Sequence, residues 1–174
     1  GAFSPYQSVN DVVGFIYHTM LFVPYYAWQF THASHHHYTN NMEKDEVWVP
    51  SRELIVKQGS SEVAKKNSHF HAIYTIFVMF TAGWPAYILT NATGHTTKDL
   101  ANHFNPDSSI FENMNKRDRS WKIHAGTAGI VAWTMFLLAT PWLFSGMTYS
   151  LLFRLYVLPL TVNFFFLTSI TFLQ

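Results

Sequence analysis

Four histidines lie within six residues of the segment THASHHHYTN, and their spacing is suited to metal binding. On an α-helix, positions i, i+3 and i+4 share one face, so His32, His35 and His36 lie within an arc of roughly 100°. His37 lies about 100° further round the helix. Three imidazoles on one face can direct their ring nitrogens to a shared ion, and imidazole binds iron, zinc, copper and nickel alike. The spacing therefore predicts a metal site without choosing the metal.

Other interpretations of the four histidines stay open at this point, namely a solvated surface cluster or an adventitious zinc site. Three carboxylates follow closely, Glu43, Asp45 and Glu46. Each can accept a hydrogen bond from the second ring nitrogen of a ligating histidine, although a solvated acidic turn explains them equally well. The chain has no cysteine, which excludes a cysteine-ligated metal and a disulfide framework.

The elements that carry these side chains have the composition of a membrane protein. Hydrophobic residues make up 49% and charged residues only 12% of the chain, about half the charged share of a soluble domain. The net charge of +1 provides no concentrated basic surface for nucleic acid. Four apolar stretches each approach the ~20 residues that a helix needs to cross the hydrocarbon: residues 12–30, 72–90, 123–144 and 151–173.

The basic residues predict how these stretches meet the membrane. All lysines and arginines except Arg154 lie in the polar regions 31–68 and 91–122, which places both regions in the cytoplasm. Residues 72–90 would then enter and leave on the same face, and their internal Gly-Trp-Pro favours an interrupted, re-entrant or interfacial helix. The last two stretches form a transmembrane hairpin. The predicted fold is an all-α membrane protein with this hairpin, interfacial or re-entrant helices and a cytoplasmic helical metal-binding region.

The segment DVVGFIYHTMLFVPYYAWQFTHASHHHYTNNMEKDEVWVP resembles the second histidine box of acyl-lipid fatty acid desaturases, in the delta-12 (omega-6) and omega-3 group and in a fungal-like form. GWPAYILTNATG, ANHFNPDSSIF and ITFLQ follow in the same order. The resemblance implies an O₂-dependent oxidoreductase that introduces a cis double bond into a fatty acyl chain, with oleate to linoleate as the expected conversion. Two iron ions would be held by three histidine clusters, of which His32, His35 and His36 form one.

The same resemblance implies the partners and the cellular location of this reaction. The expected partners are an acyl chain on a phospholipid or thioester, O₂, membrane lipid, cytochrome b5 and its NADH-dependent reductase, in a multi-pass protein of the endoplasmic reticulum with the box on the cytoplasmic side. Residues 1–174 would be a single desaturase domain incomplete at both ends. An HxxxH box is expected before Gly1 and a further HxxHH box after Gln174, so the chain alone would be inactive. Since all boxes must meet, an even number of crossings separates them, and residues 12–30 become interfacial or re-entrant.

The remaining histidines are expected to lie outside the metal site. His18 and His103 match positions in the resemblance but are predicted to be packed, structural residues, whereas His37, His95 and His124 match no metal motif. Substrate-binding residues are not identified. The alternative functions are omega-3 desaturation, a related hydroxylase, epoxygenase or acetylenase on the same scaffold, and a membrane protein that binds zinc without redox chemistry.

Overall fold

The computed structural model describes residues 3–39, 41, 43–45, 47, 69–94 and 100–173, and throughout these ranges its regular structure is helical. The predicted all-α membrane class is confirmed. A 3₁₀ turn at Ser109–Phe111 and a π-helical turn at Phe153–Val157 accompany the α-helices. The α-helices are α1 (Gln7–Met20), α2 (Tyr25–Tyr38), α3 (His69–Thr90), α4 (Lys116–Leu143), α5 (Tyr149–Leu152) and α6 (Leu158–Leu173).

Among the described residues, three helical segments are long and apolar enough to cross a membrane: Ile73–Thr90, Lys116–Leu143 and Tyr149–Thr171. The last two form the predicted hairpin around a turn that contains Gly146, whose φ of 88° favours glycine. Trp133 Nε1 of α4 donates to the Tyr156 hydroxyl of the π-turn at 2.7 Å, which joins the two arms.

The predicted interruption of residues 72–90 is wrong, because α3 runs unbroken through Gly83, Trp84 and Pro85. Proline removes one backbone hydrogen bond, a loss that neighbouring helices make tolerable in membrane segments. Here α3 packs along α6, and a Cβ on Gly83 would lie 3.5 Å from Thr168 Cγ2. That α3 enters and leaves the membrane on the same face stays a prediction.

Residues 12–30, predicted to be interfacial or re-entrant, belong to two helices and not to one. The break is the turn of residues 21–24 between α1 and α2, where Phe22 has a φ of 57° and Pro24 precedes the first residue of α2. The Tyr156 hydroxyl donates to the carbonyl of Met20 at the end of α1. The turn is therefore attached to the membrane hairpin.

Two apolar clusters hold α2 from different sides. One joins α2 to α4 and to residues 101–114, and it contains Ala27, Ala101, Ile110, Phe111, Met114 and Ile123, with Phe30 packed against it. The other joins α2 and its preceding turn to α3, and it contains Val23, Val47, Trp84, Tyr87 and Ile88, with Trp28 packed against it. Hydrophobic burial on both sides therefore fixes the first half of α2, from which the histidines follow.

Replacing Gly14 by alanine is expected to destabilise the contact between α1 and α2. A Cβ at this position would lie 2.3 Å from Tyr25 Cε2, and the Tyr25 ring is held by its hydroxyl, which donates to Asp11 Oδ1 at 2.9 Å. Overpacking of this kind costs about 1–3 kcal/mol. The thermal unfolding midpoint of the purified protein should fall for Gly14→Ala and stay near wild type for Gly83→Ala. Equal midpoints for the two variants would contradict this packing.

Candidate metal centre

The histidines occupy the last turns of α2, and the packing of this helix determines where each ring points. Ala27, Thr31 and His35 are buried at successive i+4 positions, so this face lies against the protein interior. His32 and His36 each come one residue after a buried position, so they lie on the neighbouring face of the helix. The C-terminal end of a helix carries a partial negative charge, which favours a bound cation here.

His32 and His36 direct the same ring atom to one point. Their Nε2 atoms are 3.1 Å apart and their ring centroids 4.5 Å apart. Metal–imidazole bonds measure about 2.0–2.1 Å, so two nitrogens on one ion stand about 3 Å apart. The same separation also allows one neutral ring to donate a hydrogen bond to the other. The pair thus has the spacing that a shared metal ion requires.

His32 is partly buried beneath Trp28, whose ring stacks on it with a centroid distance of 4.6 Å. Burial lowers the pKa of His32 to about 4, and the charges of His36, His35 and His18 add to this effect. The ring is therefore neutral at pH 7, the state that binds metals. Its Nδ1 is buried without a hydrogen-bond partner among the described residues, and such an atom requires one.

His35 is held by a carboxylate. Its Nδ1 lies 2.7 Å from Asp45 Oδ1, and His35 and Asp45 are only 7% and 2% exposed. The same Oδ1 accepts the backbone N–H of Val47 at 2.9 Å, so the carboxylate is itself oriented. A ligating histidine typically donates its other ring nitrogen to a carboxylate in this way, which fixes the tautomer and leaves Nε2 for the metal.

The structure brings only two of the three predicted metal ligands together. His32 and His36 converge, whereas the His35 ring lies beside them, 6.2 Å from His32 and 5.7 Å from His36. Within the described ranges no group of three or more His, Cys, Asp or Glu side chains has the geometry of a complete metal site. The assignment of all three as ligands accordingly remains a proposal.

The other residues singled out by the sequence lie apart from this pair. His37 is exposed, and its ring meets Tyr38 at 4.5 Å. Glu43 is exposed, so of the two described carboxylates only Asp45 is buried beside a histidine. His124 is exposed, with Nδ1 2.7 Å from the carbonyl of Ser120. Glu46 and His95 lie outside the described residues.

His103 has the structural role that the sequence predicts. It is fully buried, and burial lowers its pKa to about 4. Its Nδ1 lies 3.3 Å from the carbonyl of Ile88, so Nδ1 carries the proton. Its Nε2 is then an acceptor and lies 3.2 Å from the Tyr87 hydroxyl, which can donate to it, and 3.2 Å from the Thr31 hydroxyl, which donates to the carbonyl of Ala27. These contacts tie the segment after α3 to both α2 and α3.

Two residues near His32 are His18, whose packed position the sequence predicts, and Trp28, which the sequence does not single out. The His18 Nδ1 donates to the carbonyl of Gly14 at 2.8 Å, and burial lowers its pKa; its packed position agrees with the prediction. Trp28, by contrast, is not identified by the sequence analysis. The contact could have been predicted from the spacing, because Trp28 lies four residues before His32 and residues four apart on a helix are neighbours.

The described residues form an all-helical membrane protein in which the partly buried His32 converges with the exposed His36. The whole chain, residues 1–174, matches the family described as Fatty acid desaturase, and it belongs to that family. The predicted group, which includes delta-12 enzymes, is confirmed. No solved structure matches the chain.

Three relatives illustrate the similarity. The Bifunctional fatty acid conjugase/Delta(12)-oleate desaturase of Punica granatum is 37% identical over 99% of this chain and 41% of its own length. A Delta(12) fatty acid desaturase of Calendula officinalis is 38% identical, and the Delta(12)-fatty-acid desaturase of Arabidopsis thaliana is 36% identical, each over 99% of this chain and 43% of its own length. The chain thus spans about two fifths of the length of the curated relatives it matches.

Proposed function

We propose that this chain is the second-histidine-box part of an acyl-lipid delta-12 desaturase, which converts oleoyl to linoleoyl chains with O₂. The observation that carries the proposal is the convergence of His32 Nε2 and His36 Nε2 at 3.1 Å beside membrane-length helices. Relatives named as Delta(12) enzymes that are 36–38% identical over almost the whole chain support the regiochemistry.

The described side chains fit the group that this reaction needs. His32, His35 and His36 would bind iron, with the remaining ligands coming from an HxxxH box and another HxxHH box outside residues 1–174. Two iron ions, when bound, supply the O₂-dependent oxidation. Asp45 keeps the proton on Nδ1 of His35 and so leaves Nε2 to coordinate. Trp28 covers one face of His32 and limits the access of water.

The proposal includes the cellular setting. The basic residues of regions 31–68 and 91–122 favour the cytoplasmic side for both, which puts the box where soluble reductant is available. Electrons would come from NADH through cytochrome b5 and its reductase at the endoplasmic reticulum. The acyl chain would be carried on a phospholipid or a thioester.

The test is expression of the intact protein in a host that contains oleate but makes no linoleate, followed by fatty acid analysis. Delta-12 activity gives linoleate. Conversion of supplied linoleate alone to α-linolenate would instead show omega-3 activity, and a hydroxylated or epoxidised product would show a related activity on the same scaffold. An unchanged fatty acid profile, with the protein present in the membrane, would contradict the proposal and favour a non-redox zinc site.

A further inference from the structure

Asn10 on α1 holds the chain that precedes this helix. Its Oδ1 accepts from the backbone N–H groups of Phe3 and Ser4 at 3.3 and 3.0 Å, and its Nδ2 donates to the carbonyl of Ser4 at 2.8 Å. Asn10 is only 8% exposed, so these bonds are largely shielded from water. A buried amide whose oxygen and nitrogen are both bonded to one backbone segment fixes the position of that segment.

The segment held by Asn10 lies at the histidine end of α2, because α1 and α2 are antiparallel. The ring of His18, in the last turn of α1, lies 5.2 Å from the ring of Tyr25, the first residue of α2. Asp11 is two turns earlier on α1, and its Oδ1 accepts from Gln29 Nε2, one turn later on α2, at 3.2 Å. Residues that precede α1 therefore lie towards the C-terminal end of α2.

The histidine pair continues the face of α2 that meets α1. Four residues lie within about 60° of one another round the helix, namely Tyr25, Gln29, His32 and His36. Tyr25 and Gln29 both donate to Asp11. On α1, a Cβ on Gly14 would meet the Tyr25 ring, and Asn10 is one turn before Gly14 on the same side of the helix. Asn10 therefore holds its segment on the side of α1 that faces α2.

We infer that Asn10 is a positioning residue, which holds the chain before α1 so that further metal ligands reach His32 and His36. The inference rests on the proposed function, in which an HxxxH box precedes Gly1. A box directly before Gly1 would end three residues from Phe3, roughly 10 Å of extended chain. An anchor this close limits where the box can lie, and pre-organised ligands bind an ion more tightly because less freedom is lost on binding.

The test measures the iron affinity of the purified intact protein by competition with a chelator. The thermal unfolding midpoint is measured on the iron-free protein, because bound iron would itself raise it. Asn10→Ala removes all three hydrogen bonds to Phe3 and Ser4. It should weaken iron binding about tenfold, the lower end of the range for losing a group that orients a ligand.

Asn102 provides a matched control. Its Oδ1 accepts from the backbone N–H groups of Phe104 and Asn105, each at 2.9 Å, and its Nδ2 donates to the carbonyl of Leu100 at 3.3 Å. Asn102→Ala therefore removes the same three kinds of bond, but from the loop between α3 and α4. It should lower the unfolding midpoint about as much as Asn10→Ala does and leave the iron affinity near wild type.

The outcomes separate the possible failures. Wild-type iron affinity in Asn10→Ala, whatever its midpoint, would overturn the inference and leave the proposed function intact. Equal losses of affinity in Asn10→Ala and Asn102→Ala would also overturn it, because iron binding would then follow stability alone. If Asn10→Ala does not accumulate, Asn10→Asp decides, since it keeps the acceptor oxygen and loses the donor to Ser4. Weaker iron binding in Asn10→Asp would support the inference, and unchanged binding would overturn it. A wild type that binds no iron would overturn the proposed function and this inference together.

Discussion

Alanine at His32 or His36 is expected to reduce linoleate formation at least about a hundredfold. The two Nε2 atoms stand 3.1 Å apart, so each variant removes half of the converging pair. Loss of a group that only orients a ligand already costs about 10–100-fold, and loss of the ligand itself should cost more. The measurement is linoleate produced per amount of membrane-bound protein in the oleate-containing host.

His37→Ala is the matched control for these variants. It removes an imidazole from the same helical turn, but this ring packs on Tyr38 and does not contact the His32–His36 pair. Product yield should therefore stay near wild type. Equal losses for His36→Ala and His37→Ala would show that the turn tolerates no histidine replacement, and the separation of metal ligands by helical face would then be wrong.

Asp45→Asn is expected to weaken iron binding by about 10–100-fold, and so to lower both the bound iron and the product yield. The side chain is 2% exposed and lies 2.7 Å from His35 Nδ1. The amide keeps the shape but can present its N–H₂ group to His35 Nδ1, so the oxygen that fixes the His35 tautomer and orients the ring is no longer assured. Iron content is essential as a second readout, because a purely structural defect would reduce protein abundance and leave the iron-to-protein ratio unchanged.

The control for this variant is Asp107→Asn, the same chemical change at a side chain that is 85% exposed. Yield and iron content should both match the wild type. A normal iron-to-protein ratio in Asp45→Asn would contradict the orienting role of the carboxylate, whatever its effect on abundance.

Helical periodicity is local, so the sequence predicts the contact between His32 and His36 but not the position of the His35 ring, which lies against Asp45. His32 and His36 meet and His37 lies elsewhere, as the spacing of 3.6 residues per turn requires. The choice of carboxylate could not be predicted. Asp45 contacts His35 because of how the chain turns after α2, and three acidic residues in four positions give no local reason to prefer one of them.

The unbroken course of α3 and an apolar cavity beside it depend on tertiary packing. Pro85 predicts a break when α3 is considered alone, yet contact with α6 at Gly83 accompanies a continuous helix. An apolar cavity of about 230 Å³ is lined by Phe22, Trp84 and Ile130, which come from separate parts of the chain. No periodic pattern relates such residues, so only the folded structure brings them into one site.

The most direct test of the metal centre is the metal content of the purified intact protein, measured by mass spectrometry of the elements for the wild type and for His36→Ala. We expect two irons per wild-type protein, little zinc, and a large loss of iron in the variant. Zinc in place of iron, or an iron-to-protein ratio that is the same in both proteins, would contradict a desaturase centre held by His32, His35 and His36.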